Sequence, residues 1–234
     1  MISNVKSLLW LRQKIISSNK SIRIQMLLPF LLTYLYSFNH SGYEAKQFNL
    51  MLSVSMVLAM TVGGPMQTLL TEEKEKRTLK ELLLSGVRSW EYIVSSLIFP
   101  IVIGISAVFL IPLLLNFKVG KMFIPYTVIT LMTVIAVVLF YLFLGLIAKM
   151  QSMSQALAIP SMFIIVLLPM LSRVNSTVAA FTDYSFMGLE TRLFLHWDQL
   201  TLSTSLIAML SLSLWIIIFL ILDTLLFKTL KKNL

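Results

Sequence analysis

The chain has 234 residues, 58 % of them hydrophobic and only 12 % charged, with a formal net charge of +9. An average soluble domain carries roughly a quarter charged residues, so this composition and its long apolar stretches exclude an ordinary soluble domain and indicate a polytopic membrane protein. Cysteine is absent, which removes disulfides, thiol nucleophiles and thiolate metal sites. The only histidines, His40 and His196, are far apart in sequence and predict no metal site, and the basic residues flank the apolar runs instead of forming a nucleic-acid patch.

Residues 1–23 come first. Lys6, Arg12, Lys14 and Lys20 are spread through them, leaving no uninterrupted apolar core, so no cleavable signal peptide is expected. Wound as an α-helix, Val5, Leu8, Leu9, Leu11, Ile15 and Ile16 fall in one arc and Lys6, Gln13, Lys14 and Ser17 fall opposite. Arg12 interrupts the apolar arc unless its stem snorkels. This pattern predicts an amphipathic helix lying in the membrane interface.

Six apolar runs follow within residues 24–234, at approximately 24–38, 48–70, 92–116, 123–148, 156–172 and 204–227. Backbone polar groups cannot be left unpaired in lipid, so each run is expected to be helical. The first and fifth are short for the roughly 20 residues that a span needs. The predicted fold class is therefore an all-α polytopic membrane protein with six transmembrane helices and an N-terminal interfacial helix. Fourteen of the nineteen Lys and Arg fall on the side shared by the N-terminal segment, the segment 71–91, Lys149 and the C-terminal tail. The positive-inside rule then places both termini in the cytoplasm and the chain in a cell membrane. All seven prolines lie inside or at the edges of apolar runs. Gly63-Gly64-Pro65 and the pair Pro160/Pro169 are the expected bends and candidate hinges.

Between the second and third runs lies the segment richest in charge, 71–91. It holds Glu72, Glu73, Glu75, Glu81 and Glu91, five of the chain's ten acidic residues, beside Lys74, Lys76, Arg77, Lys80 and Arg88. Such a segment is expected to be solvated. Thr78 followed by Glu81 matches a capping box; Leu79, Leu82 and Leu83 follow at helical spacing, and Gly86 supplies a stop. Ser89 is placed to cap the next helix. These signals predict a short cytoplasmic helix with a leucine face, covered either by the chain's own helices and the interface or by a partner's groove.

The run from Glu73 to Val87 resembles the cytoplasmic motif of ATP-binding-cassette permeases of the type-two exporter family. That motif leads from an acidic-basic stretch into Gly-Thr-Leu, a leucine pair and Ser/Thr-Pro-Val. Here Arg77 stands where glycine is usual and Gly86 where proline is usual. The resemblance implies a coupling helix that contacts a separate ATPase subunit through Thr78, Leu79, Glu81, Leu82, Leu83 and Ser85. No Walker A loop is present, so the chain is expected to be non-catalytic, with ATP and magnesium held by the partner. The implied assembly is two permease subunits, identical or not, with cytoplasmic ATPases, in a bacterial plasma membrane.

The stretch 173–203 is too polar to span and is rich in aromatics. Phe181, Tyr184 and Phe186 sit there as candidates for an exit gate, either on short helices dipping into the outer leaflet, as the family implies, or in an aromatic belt anchoring a loop. Asn175-Ser176-Thr177 matches a glycosylation acceptor. Asp223 is the one carboxylate expected inside a span, where Lys228, Lys231 and Lys232 offer it an ion pair. The resemblance implies an exporter permease, and the largely apolar spans suggest an amphipathic or hydrophobic cargo, such as a peptide, drug or lipid-like molecule. The 15 Phe and 14 Met agree with such a cargo. The alternatives are a non-transporting membrane scaffold or sensor with a cytoplasmic partner, and a secondary transporter, which the missing midplane charges disfavour.

Overall fold

A computed structural model describes residues 2–39, 42–197, 199 and 202–232. His40 and Asp198 lie outside the described residues, as do the side chains of Leu83 and Ser89. The described chain is helical throughout, with turns between helices and no strand.

Helix α1 (Ile2–Ser18) leads directly into α2 (Lys20–Asn39). Asn19 makes the joint: its Oδ1 accepts from the N–H groups of Ser21 (3.1 Å) and Ile22 (3.3 Å), capping α2. The buried face of α1 is Leu8, Arg12 and Ile16, one per helical turn, while Trp10 is 63 % exposed. Arg12 therefore points inward with the apolar arc, and the reason lies in its partner, described below.

Among the described residues five helices are long and apolar enough to cross a membrane: Tyr43–Glu75, Trp90–Leu114, Gly120–Ile147, Gln151–Ser172 and Ser205–Leu230. The predicted span not among these five is the first, which corresponds to α2. It is a 20-residue helix, but Arg23, Gln25 and Ser37 dilute its apolar character below that of the other five.

The first of the five consists of α3 (Tyr43–Met56), a π-helical segment (Val57–Gly63) and α4 (Gly64–Glu75). Pro65 offers no N–H, and its ring crowds the carbonyl four residues earlier. A π register relieves this, with the Gly64 N–H reaching back to the Ala59 carbonyl. The same solution recurs in α8 (Gln151–Met162), whose π segment (Phe163–Leu167) precedes Pro169 in α9 (Leu168–Ser172). A π segment thus lies at each of the two sites where a bend is expected, and the two π segments touch each other.

Between them stands Tyr141 of α7 (Phe123–Ile147). A Cβ on Gly63 would fall within the Tyr141 ring, and the Ser161 hydroxyl lies 3.3 Å from the Tyr141 hydroxyl. Gly63 is required by this close approach, not by its backbone angles. Gly63→Ala, which in an ordinary helix would be favourable by up to about 1 kcal/mol, is expected here to destabilise by about 1–3 kcal/mol. Thermal unfolding in detergent measures this, and adding Tyr141→Leu to the same chain should restore most of the loss.

The α3–α4 span and α7 are central, 78 % and 72 % buried within the chain, whereas the remaining spans are 33 %, 28 % and 22 % buried. Those peripheral spans are α6 (Ser89–Leu114), α8–α9 and α12 (Leu202–Lys232). They leave apolar faces outward, as a chain solvated by lipid must. The α3–α4 helix has 33 residues, about 50 Å at 1.5 Å per residue. It is longer than a hydrocarbon core of about 30 Å, and its charged last turns pack among the ends of the neighbouring helices.

Candidate functional site

The charged segment is not uniformly solvated. Residues through Glu75 continue α4, and Thr71 and Glu73 are buried. Four consecutive side chains each engage a different neighbour. Glu72 pairs with Lys76 one turn on, at the surface. Glu73 pairs with Arg12 of α1 and accepts from the Tyr92 hydroxyl of α6. Lys74 donates to the carbonyls of Gly145 (3.0 Å), Leu146 (2.7 Å) and Ala148 at the C-terminus of α7. Glu75 accepts from the Gln151 N–H (2.7 Å) at the N-terminus of α8. A cation on a helix C-terminus and an anion on an N-terminus are the favourable arrangements for orphan backbone groups. The end of α4 thus ties α1, α6, α7 and α8 into one charged hub.

The Arg12–Glu73 pair at its centre is buried, at 4 % and 6 % exposure. The two guanidinium Nη atoms lie 3.3 and 3.4 Å from the two Glu73 oxygens, and Nη2 donates to the Ser96 hydroxyl at 2.7 Å. The guanidinium carbon also sits 5.1 Å from the Tyr92 ring centre, in cation–π range. Burial works against the Arg12 charge, but Tyr92 and Glu73 more than offset it, so its pKa is raised from the ordinary value. Sequence reading found Arg12 and Glu73 separately. Nothing in the spacing links residues 61 positions apart.

After the hub comes α5 (Thr78–Leu84), the predicted short helix. Its ends differ from the expected ones. The first helical bond runs from the Glu81 N–H to the Arg77 carbonyl (3.2 Å), so Arg77 holds the cap position and Thr78 is already helical. Likewise Arg88 precedes α6, its N–H donating to Glu91 Oε2 at 2.9 Å, so Ser89 is the first helical residue and not the cap. The two departures from the family motif are the two left-handed residues of this loop: Arg77 at φ +59° and Gly86 at φ +92°. At the far end the Val87 N–H reaches the Leu82 carbonyl (3.2 Å), a Schellman closure that needs a left-handed residue at position 86. Proline, with φ fixed near −65°, could not close α5 in this way. Arg77 makes its left-handed turn without glycine's freedom, so Arg77→Gly is expected to stabilise the chain by about 1 kcal/mol, measured as a raised unfolding temperature.

The leucine face of α5 is divided. Leu79 is fully buried in the main core, Leu82 is half-buried at the edge of the same core, and Leu84 is 76 % exposed. Glu81 and Ser85 are exposed and Thr78 is half-buried. Of the predicted partner-contacting residues, Leu79 is therefore used internally, and the outward surface is formed by Glu81, Leu84 and Ser85.

At the opposite end, 173–203 folds into α10 (Ser176–Thr182) and α11 (Gly188–Leu195). Asn175 caps α10, accepting from the N–H of Thr177 at 2.9 Å. The three gate candidates do not form one cluster. Phe186 is buried among Phe140, Trp215 and Phe219, while Phe181 and Tyr184 are 78 % and 66 % exposed. The Arg192 guanidinium clasps Asp183 at 2.5 and 2.6 Å, fastening α11 to the end of α10. Glu190 is buried at 1 % exposure, and neither carboxyl oxygen has a hydrogen-bond partner. Burial pushes its pKa up to about 8, opposed only weakly by the Thr133 hydroxyl of α7, which itself donates to the Ile129 carbonyl.

Asp223 departs from expectation. It is 3 % exposed with both oxygens unpartnered, and it makes no ion pair with lysine among the described residues. α12 packs most extensively on α7, and Asp223 belongs to its buried stripe with Phe219 and Phe227. Among the described residues no group of three His, Asp or Glu is arranged to hold a metal ion. The chain matches no protein-family model, no curated protein and no solved structure.

Proposed function

We propose that this chain is the membrane-spanning subunit of an ATP-driven exporter, carrying α5 as the helix through which a separate cytoplasmic ATPase subunit acts. In this reading α2 serves as the first of six spans. Both termini and the charged hub face the cytoplasm of a cell, and α10–α11 lie toward the outside, with the exposed Phe181 and Tyr184 in the outer leaflet. Two such subunits, identical or not, work with two ATPases on an amphipathic or hydrophobic cargo.

The observation that carries the reading is the mounting of α5. One of its leucines, Leu79, is fixed in the core, and its start follows directly on the α4 hub that grips four other helices. Leu84 and Glu81 are turned outward. A force applied to the outer face would therefore be delivered to the most buried span and to both π segments. Differential docking in two nucleotide states would shift the populations of two bundle arrangements.

Leu79→Asp cannot test this, because burying a charge would unfold the site. Leu84→Asp leaves the core untouched. With a candidate ATPase subunit co-expressed, Leu84→Asp is expected to weaken co-purification at least about tenfold, the effect of desolvating a charge in an apolar contact, at an unchanged unfolding temperature. Undiminished co-purification and undiminished ATPase activity in lipid would reject α5 as the coupling element. Capture of a partner that hydrolyses no ATP would favour the scaffold or sensor alternative.

A further inference from the structure

The chain has seven glutamines, and four of them meet at one place. Gln25 of α2, Gln67 of α4, and Gln151 and Gln155 of α8 line a cavity of about 170 Å³ between these three helices. Asn19, Ser21, Thr68 and Ser154 supply further polar edges, and none of the described lining residues is charged. In a chain so poor in polar residues, this concentration is not a by-product of composition.

The cavity is built, not merely left open. Gln67 is buried at 1 % exposure and its Nε2 donates to the Ser154 carbonyl of α8 at 2.9 Å, fixing the wall. Gly64 lets the Gln25 amide lie against the α4 backbone, since a Cβ there would collide with Gln25 Nε2. Gln25 and Gln151 are half-buried and Gln155 is exposed at the mouth. The Gln151 backbone is held by Glu75, so the cavity lies directly beside the charged hub, at the end of the bundle that carries α5.

Carboxamides both donate and accept, and they carry no charge. Charged ligands find no counter-charge here, and purely apolar ones would strand the wall's hydrogen-bonding groups. The matching chemistry is another amide. We propose that this cavity binds the uncharged backbone amides of a peptide, and hence that the cargo is a peptide entering beside the hub. The volume holds roughly five or six waters at about 30 Å³ each, or a short length of peptide backbone in their place. This inference rests on the exporter reading, but its binding test needs neither ATPase nor transport.

The probe is N-acetyl-dialanine methylamide, added to the purified full chain in phosphatidylcholine nanodiscs and followed by saturation-transfer NMR. Binding is expected in the unmodified chain. Gln155→Leu, at the exposed mouth where folding is not at stake, should weaken it at least about tenfold, the worth of one to two lost hydrogen bonds. Gly64→Ala should weaken it as well, by driving the Gln25 amide into the cavity. An ester analogue lacking one amide N–H should bind more weakly than the amide. No binding by the unmodified chain, equal binding by Gln155→Leu, or equal competition by sorbitol would each overturn the assignment. Peptide binding by a chain that captures no ATPase in the co-purification experiment would instead sink the exporter reading and leave the site standing.

Discussion

Arg12→Met is expected to destabilise the chain by about 3–5 kcal/mol, because it leaves the buried Glu73 carboxylate without its cation. The Tyr92 hydroxyl remains to Glu73, but one neutral donor does not replace a guanidinium that presents both Nη atoms to both carboxylate oxygens. Arg12→Lys should recover little, since an ammonium cannot span Glu73 and Ser96 together. The double variant Arg12→Met/Glu73→Gln should recover most of the loss, because removing both charges removes the stranded one. Unfolding midpoints of the four chains in the same detergent decide the matter. Additive losses in the double variant would show that the two residues do not act as a pair. The position of the pair also has a functional consequence under the proposed reading. Arg12 is the polar link from α1 to the base of α4 and α6, so the single variant should uncouple ATP hydrolysis from cargo even at temperatures where the chain stays folded.

How much of this was legible in the sequence depends on range. The apolar runs, the apolar arc of α1, the short helix at 78–84 and the proline sites are local properties, set by periodicity and by the missing N–H of proline. In the structure five of the six runs lie in helices long and apolar enough to cross a membrane, α5 forms, and Leu8 and Ile16 of the α1 arc turn inward. The caps shifted by one residue because a left-handed Arg77 satisfies the start of α5, which no capping pattern anticipates. The larger difference is the fate of the charges. Glu73, Lys74 and Glu75 look alike in a charged run, yet each meets a different helix 61 to 76 positions away in sequence. Such pairings depend on how the bundle closes, which spacing along one chain does not encode. Leu79 and Leu84 make the same point: both belong to one predicted leucine-rich helix, and tertiary packing alone decides that the first is core and the second is surface. The glutamine cavity was equally hidden, because its four side chains come from three helices and span the chain from Gln25 to Gln155.

Glu190→Gln is expected to stabilise the chain, and to do so increasingly as pH rises. Unfolded, this carboxyl ionises near its ordinary value of 4.5, whereas in the fold burial holds the proton on up to about 8. Between those values the native state binds more protons than the unfolded chain, so stability is greatest below about pH 4.5 and falls as pH approaches 8. Tyr126 of α7 is the titratable group facing Glu190, and it supplies no positive charge to reverse that slope. Glutamine keeps the shape and cannot ionise, so it removes the pH-dependent part and leaves the burial of a polar group. The difference between the two chains should be small at pH 4.5 and reach about 3–5 kcal/mol by pH 8, as a shift of this size in a fully buried group implies. Unfolding midpoints at pH 4.5, 6.5 and 8 measure it, and parallel curves would show that the carboxyl is solvated or paired in the native state. The loss has a definite address. α11 is held by the Gln47 amide on the Phe194 carbonyl, by the Arg192–Asp183 clasp and by the packing of its apolar face on α7 and α12. Ionising the buried Glu190 carboxyl works against these contacts as pH rises. Alkaline pH should therefore loosen the α10–α11 layer before the bundle itself opens, and backbone amides of Gly188–Leu195 should lose exchange protection ahead of those in α7.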